Sequence, residues 1–219
     1  PEQSGYFSGS CGVTYYGGGA FGEKYENTVW VADVVLNLIH VDKIKPNGAS
    51  FTASRIFENK DFLASSDRAF RPVNMSVGPD GSLYVIDIHR KVIEHPEWIP
   101  DEIEKTLDLN AGKNQGRVYK ISLAAGHEKF DFQQFKNTEG LLKSLESPNQ
   151  WIRNTAHRLL MENSISNDVF VGLKKLLNSE NQLSRLHALW ILSHSGKLTA
   201  NEVVEALQNS MGSLRESIL

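Results

Sequence analysis

The chain has 219 residues, a hydrophobic fraction of 40% and a formal net charge of −3 at pH 7. This composition is typical of a folded globular protein and excludes a disordered chain, and the near-neutral charge gives no basic excess for binding nucleic acid. The sequence has one cysteine, Cys11, and no apolar run of transmembrane length, which excludes an internal disulfide framework and predicts no transmembrane segment.

The composition changes near residue 125. Residues 1–125 contain 12 of the 17 glycines and 6 of the 7 prolines, which predicts short strands separated by turns. Residues 126–219 carry the periodicity of amphipathic helices. We therefore predict a mixed β and α fold with two domains, 1–125 and 126–219.

The first domain contains an internal repeat. Residues 28–33, followed by Leu38-Ile39, match residues 82–87, followed by Val92-Ile93, at an offset of 54 residues. Each unit predicts two adjacent antiparallel strands, with a hairpin turn at residues 78–81 and a closing strand at residues 116–121. A repeat of this length and strand content is typical of β-propeller blades, so we predict a partial propeller of about two blades.

The second domain repeats with a helical period. The pattern of residues 149–160 returns 32 residues later at residues 181–192, with apolar positions on one helix face. Paired helices at this period predict a HEAT-like α-solenoid. The segment Ser213-Leu214-Arg215 predicts the start of another helix near the end of the sequence. The segment Pro1–Gly5 does not resemble the natural N-terminus of a protein. Two propeller blades also cannot close a ring. We therefore expect the chain to be a piece of a longer protein.

Several segments of the first domain resemble the membrane-bound dehydrogenase-like proteins of planctomycete and related bacteria. The matching segments are residues 70–74, 77–87, 92–100, 108–109, 111–112 and 116–121, and residues 185–190 resemble the HEAT segment of that family. The resemblance implies a periplasmic or envelope-associated protein that oxidises sugars or related alcohols and passes electrons to a quinone or a haem. The chain has no Cys-x-x-Cys-His motif, so haem c would belong to a domain outside it.

A more distant resemblance is to the soluble quinoprotein glucose and sorbosone dehydrogenases. In those propellers an Arg-x-Arg-Asp segment contacts pyrroloquinoline quinone, and Arg71 corresponds to its first arginine, which implies a cofactor-binding role for Arg71. Val73 and Asn74 replace the second arginine and the aspartate. The resemblance places quinone and calcium in the full protein and the catalytic base upstream, so no catalytic residue is assigned and we expect the chain alone to be inactive.

Asp87, His89 and Arg90 follow a predicted strand, and we interpret them as substrate-binding residues. Asp87 and His89 could bind sugar hydroxyls, act as an acid–base couple, or hold a divalent ion with His95, although no metal site is predicted. Asp33 occupies the position of Asp87 in the repeat, which favours a structural role such as capping a turn. Arg71 has structural alternatives too, a salt bridge to a neighbouring loop carboxylate or a stack beneath Pro72.

The alternative function is a non-catalytic module that binds a glycan or a protein partner, the latter through the HEAT-like repeats. Val73 in place of the second arginine favours this alternative. The loop at residues 94–100 has two interpretations. It could carry a binding function on a rigid scaffold, or its Trp98 could pack against the helices that follow.

Overall fold

The computed structural model describes residues 6–126 and 129–208. The chain divides into two compact units, Pro1–His127 and Glu128–Leu219. The described residues form antiparallel sheets in the first unit and helices in the second, so the predicted mixed β and α fold is confirmed at this level. No closed barrel or propeller is seen in the described residues. The segment Pro1–Gly5 and the helix predicted at Ser213 lie outside them.

The first sheet is an antiparallel meander in the order β1-β2-β3-β4, with the short strand β5 also paired to β3. Strand β3 is long enough for two partners, because β5 pairs with its first residues and β4 with its last six. The strands are β1 (Ser10–Tyr16), β2 (Thr28–Asp33), β3 (Leu38–Asn47), β4 (Ser50–Arg55) and β5 (Leu63–Ala64).

The second sheet has the order β6-β7-β8 and is antiparallel throughout. Its strands are β6 (Pro72–Val77), β7 (Leu83–Asp87) and β8 (Arg117–Ile121). The predicted hairpin turn joins β6 to β7, with the Gly78 amide donating to the Ser82 carbonyl at 2.9 Å and Gly81 at φ +75°. That left-handed conformation suits glycine, which has no Cβ to clash. The predicted closing strand is β8, which pairs with β7.

One predicted strand is absent from the second sheet. Leu38-Ile39 begins β3 and pairs with β2, as the first repeat unit predicts, but Val92-Ile93 forms no strand. The expectation of a strand there was wrong because β8, from much later in the chain, pairs with β7 at Leu83–Asp87. The segment between β7 and β8 instead holds turns, a short 3₁₀ helix at Pro96–Trp98 and the single helical turn α1 (Asp101–Glu104).

The core of the first unit follows the alternation of its strands. Trp30 is fully buried on β2. The centroid of its ring lies 4.4 Å from that of Phe62 and 5.7 Å from those of Tyr16 and Tyr25. Its indole N–H donates to the Thr28 hydroxyl at 2.8 Å, so the polar atom is satisfied inside the core. Burial of such a side chain contributes about 2–3 kcal/mol.

The two sheets of the first unit meet along β1 and β6. The Thr14 hydroxyl of β1 donates to the Met75 carbonyl of β6 at 3.1 Å. The Tyr16 hydroxyl donates to the Gly81 carbonyl at 2.8 Å, and burial raises the pKa of this phenol to about 12. These contacts fix the hairpin of the second sheet against the first sheet.

The second unit contains two helix pairs and a further helix within the described residues. Their bounds are α2 (Thr138–Ser144), α3 (Gln150–Glu162), α4 (Asn167–Leu176), α5 (Gln182–His194) and α6 (Ala200–Gln208). Asn149 and Asn181, which are equivalent in the repeat, cap α3 and α5, and their side chains accept the amides of Trp151 at 2.8 Å and Leu183 at 3.0 Å. Such caps stabilise a helix by about 1 kcal/mol each.

The helical repeat also determines which residues are buried. Ala156 and Leu160 of α3 and the equivalent Ala188 and Leu192 of α5 belong to one apolar cluster, together with Leu173 of α4. The sequence period therefore places the same positions of both helices in the core. In the described ranges, no helix is both long and apolar enough to cross a membrane.

Candidate functional site

The structure brings together three of the four residues interpreted from the sequence as site residues. Arg71 directly precedes β6, Asp87 ends β7, and His89 lies in the loop that follows. The Arg71 backbone amide donates to Asp87 Oδ1 at 2.8 Å, and the His89 amide donates to the same oxygen at 2.7 Å. Asp87 therefore holds the start of β6 and the turn after β7 at one end of the second sheet.

The second carboxylate oxygen of Asp87 accepts no hydrogen bond in the described residues. Asp87 Oδ2 and His89 Nδ1 lie 3.5 Å apart, and both atoms are buried without a hydrogen-bond partner in the described residues. The exposed fractions are 1% for Asp87 and 8% for His89. Buried polar atoms almost always find a partner in folded proteins, so a facing pair without one marks a site that calls for an explanation.

His89 is held in an uncommon backbone conformation. Its φ is +49°, in the left-handed region that costs free energy for any residue other than glycine. The Asp87 carboxylate accepts the His89 amide in this turn, which compensates part of that cost. The turn directs the imidazole back toward Asp87 instead of along the strand.

The Arg71 side chain acts as a clamp between two loops. Nε donates to the Arg90 carbonyl at 2.9 Å, Nη1 to the Val34 carbonyl at 2.5 Å, and Nη2 to the Lys91 carbonyl at 3.1 Å. Burial lowers the pKa of the guanidinium, and the nearby Asp87 carboxylate opposes that shift. The clamp links the turn between β2 and β3 to the loop after β7.

This geometry does not fit a contact between Arg71 and the carboxylates of a quinone cofactor. The residue is 9% exposed, and the three nitrogens of its guanidinium already donate to backbone carbonyls. A carboxylate bound to two of these nitrogens would have to fit among the three carbonyl oxygens that already surround the buried guanidinium, and it would be repelled by them. The geometry therefore favours a structural role for Arg71. Its partners are backbone carbonyls, whereas one structural alternative considered from the sequence was a salt bridge to a loop carboxylate.

Arg90 also stabilises a loop. Its Nη2 donates to the Leu109 carbonyl at 3.0 Å, and the neighbouring Lys91 amide donates to the Ala111 carbonyl at 3.2 Å. Gly112, at φ +88°, approaches so closely that an added Cβ would lie 2.0 Å from the His89 carbonyl oxygen. The segment at residues 108–112 therefore packs against the His89 turn and fixes its position.

The sequence interpretation did not identify Arg117 as a site residue. Arg117 begins β8 and is the register partner of Asp87 on β7, and its Nε lies 3.8 Å from Asp87 Oδ2. Its side chain is 40% exposed, so it stands between the buried Asp87–His89 pair and solvent. The sequence predicted that the closing strand pairs with β7. It did not predict the register of that pairing, and the register is what places Arg117 opposite Asp87.

A second polar cluster, also missed from the sequence, lies on the first sheet. His40 Nδ1 lies 2.7 Å from Asp61 Oδ1, and Nε2 lies 3.0 Å from Asp42 Oδ1. Arg55 adds an ion pair to Asp61 at 2.9 Å. This network ties β3 and β4 to the loop before β5 and accounts for its own polar groups, which indicates a structural role.

His95, which was considered from the sequence as a metal ligand beside Asp87 and His89, lies in an exposed loop. The His95 side chain is 69% exposed and accepts the Glu97 amide at 3.3 Å. Across residues 6–126 and 129–208, no three or more His, Cys, Asp or Glu side chains converge as metal ligands. Trp98 is 75% exposed in the same loop.

Comparison with known proteins gives one match. A protein-family model described as a domain of unknown function, DUF7133, matches residues 1–125, which contain both sheets and the Asp87–His89 pair. No curated protein and no solved structure matches the chain. The match covers more than half of the 219 residues, and the chain belongs to the DUF7133 family.

Proposed function

We propose that the chain is part of a dehydrogenase-like protein that oxidises sugars or related alcohols, and that Asp87 and His89 contact the substrate hydroxyl. The observation that carries this proposal is the buried pair of Asp87 Oδ2 and His89 Nδ1, which lie 3.5 Å apart and have no hydrogen-bond partner in the described residues. A carboxylate beside an imidazole is a recurrent arrangement for moving a proton near neutral pH.

The chemistry assigned to the pair is limited to proton transfer and binding. In place of the upstream base that the resemblance implies, His89 accepts the hydroxyl proton, and the Asp87 carboxylate stabilises the imidazolium that forms. Oxidation of the alcohol also removes a hydride from carbon. A quinone outside this chain would accept that hydride, and a haem outside this chain would take the electrons onward one at a time. Because Arg71 does not fit a quinone carboxylate, no cofactor contact is assigned to this cluster.

The proposed architecture is a propeller edge followed by a solenoid. The four-stranded meander of the first sheet and the contact between β1 and β6 support two neighbouring blades, whose innermost strands would be β1 and β6. The equivalent caps Asn149 and Asn181 support HEAT-like helix pairs. A periplasmic or envelope location is proposed from the family resemblance alone.

The test is dye reduction by the full-length natural protein with a panel of hexoses, uronic acids and sugar alcohols. We expect at least one substrate to support turnover, and His89→Gln to lower kcat by about 100-fold or more. His95→Gln is the matched control, because His95 is exposed and lies outside the pair. Absence of dye reduction with every substrate, or equal rates for the two variants, would overturn the proposal.

The second candidate is a non-catalytic module that binds a glycan. Two observations favour it: each guanidinium nitrogen of Arg71 already donates to a backbone carbonyl, and Trp98 exposes 75% of its surface in a short 3₁₀ helix. An exposed indole offers a flat apolar face on which a sugar ring can stack. The Glu97 side chain beside it is 77% exposed and can accept hydroxyl hydrogen bonds.

This candidate is tested with a polysaccharide array probed by the chain. Trp98→Ala should weaken any binding by about tenfold, the loss expected for one stacked aromatic ring. Trp190→Ala is the control, since Trp190 is 54% exposed in the helical unit. No binding to any polysaccharide, or equal losses in both variants, would exclude Trp98 as a glycan contact.

A further inference from the structure

We propose that the substrate bound at the Asp87–His89 pair is a sugar that carries a carboxylate, and that Arg117 is the residue that selects it. This inference rests on the proposed function and names the substrate class of the same site. It follows from the difference between Arg117 and the other arginines around the pair.

Arg71 and Arg90 both use their side chains to hold loops. The Arg71 guanidinium donates to three backbone carbonyls, and Arg90 donates to the Leu109 carbonyl. All three guanidinium nitrogens of Arg71 and one terminal nitrogen of Arg90 are therefore engaged, so neither residue offers a pair of terminal nitrogens free of protein hydrogen bonds. The Arg71 charge nevertheless lies near Asp87, and Arg117 is a second cationic neighbour of the same carboxylate, so the surroundings of the pair favour an anion.

The Arg117 guanidinium is available to a ligand. Its Nε donates to the Gln115 carbonyl at 3.0 Å and lies 3.8 Å from Asp87 Oδ2, which is too long for a hydrogen bond. In residues 6–126 and 129–208, its two terminal nitrogens make no hydrogen bond. Those terminal nitrogens form the planar fork that binds a carboxylate through two parallel hydrogen bonds.

The strand register places this fork beside the proposed reaction site. Arg117 and Asp87 are direct partners across β8 and β7, so a ligand held by Arg117 lies close to Asp87 and His89. A carboxylate on Arg117 would also draw the guanidinium away from Asp87 Oδ2 and give a hydroxyl of the same sugar access to the buried pair. A neutral sugar has no group to compete for Arg117 in this way.

The experiment compares neutral sugars with the uronates that differ from them only by the carboxylate. The pairs are glucose with glucuronate, galactose with galacturonate, and mannose with mannuronate. Binding to the full-length protein is measured by isothermal titration calorimetry, and dye reduction is measured in parallel. We expect at least one uronate to bind about tenfold or more tightly than its neutral partner, and Arg117→Gln to reduce that ratio to about two or less.

Arg55→Gln is the matched control for Arg117. The Arg55 side chain is 42% exposed and pairs with a carboxylate, as that of Arg117 does, but it lies on the other sheet. A neutral sugar that binds and reacts as well as its uronate, with no effect of Arg117→Gln, would overturn this inference and leave the proposed function standing. Absence of both binding and dye reduction with every sugar would instead overturn the proposed function.

Discussion

Asp33 and Asp87, equivalent residues of the repeat, close similar turns at the ends of β2 and β7. Asp33 Oδ1 accepts the Val35 amide at 2.9 Å, and Asp87 Oδ1 accepts the His89 amide at 2.7 Å. The second oxygens differ, because Asp33 Oδ2 accepts the Gly9 amide at 3.0 Å whereas Asp87 Oδ2 has no hydrogen bond in the described residues. The two copies share the turn, and only Asp87 presents an oxygen to an imidazole.

Asp33 should be more important for stability than an exposed aspartate that also caps a turn. Asp33→Ala removes the acceptor of three backbone amides, those of Gly9, Val35 and Leu36, at a fully buried position. We expect the free energy of unfolding to fall by about 3 kcal/mol, because buried donors are left unpaired. Denaturant unfolding measures the change. Asp67→Ala, at an exposed residue that accepts the Ala69 amide, should cost about 1 kcal/mol or less, and equal losses would contradict this role.

Arg71→Lys tests the clamp. An ammonium cannot reach the three carbonyls of Val34, Arg90 and Lys91 in the fork geometry of the guanidinium, so we expect a loss of about 2–3 kcal/mol in the free energy of unfolding. The control is Arg68→Lys at a nearby exposed arginine, which should change stability by less than about 0.5 kcal/mol. A stable Arg71→Lys variant would show that the carbonyl contacts contribute little.

Gly112 should tolerate alanine worse than another glycine with a positive φ. A Cβ at Gly112 would lie 2.0 Å from the His89 carbonyl oxygen, whereas a Cβ at Gly48, at φ +60°, meets no atom within 4 Å. We expect Gly48→Ala to cost about 1 kcal/mol from backbone strain alone and Gly112→Ala to cost clearly more. Thermal unfolding of the two variants measures the difference. Similar unfolding temperatures would mean that the loop at residues 108–112 shifts without cost.

The helical unit should lose stability in mild acid because of His187. Burial, with smaller contributions from His157 and Arg153, lowers the pKa of His187 from the usual 6.5 of a histidine to about 4. Between these values the unfolded chain binds more protons than the folded one, so the free energy of unfolding increases with pH and is lost as pH falls from about 6.5 toward 4. We expect a loss of about 2 kcal/mol, allowing for the partial exposure of the ring.

The measurement for His187 is denaturant unfolding, followed by helical circular dichroism, at a series of pH values from 7 to 4. His187→Gln cannot be protonated and should remove most of the acid-dependent loss. His95→Gln lies in the sheet unit and is exposed, so it should keep the dependence of the parent chain. The same pH dependence in all three proteins would contradict the assignment to His187.

The sequence was sufficient where the structure depends on local chemistry. The Gly-Pro-Asp-Gly turn could be predicted because its last glycine, Gly81, adopts a conformation that other residues disfavour, at φ +75°. The helix repeat could be predicted because capping and burial recur together, as at Asn149 with Ala156 and Asn181 with Ala188. Asp87 and His89 could be paired because they are two residues apart in one turn.

The sequence was insufficient where pairing over a long range decides the structure. Val92-Ile93 has the apolar character of a strand, but β8 occupies the place beside β7, and nothing local distinguishes this copy from Leu38-Ile39. Arg117 gains its significance only from its register opposite Asp87. His40 contacts Asp61 through a loop whose path depends on tertiary structure.

The most direct test of the central claim follows the His89 imidazole itself. The chain is labelled with ¹⁵N-histidine, the His89 signals are assigned by comparison with His89→Gln, and uronates and hexoses are added one at a time. We predict a saturable shift of the His89 ring nitrogens with at least one sugar and no shift at the exposed His95. No shift with any sugar, or equal shifts at both histidines, would contradict a role for the Asp87–His89 pair in binding substrate.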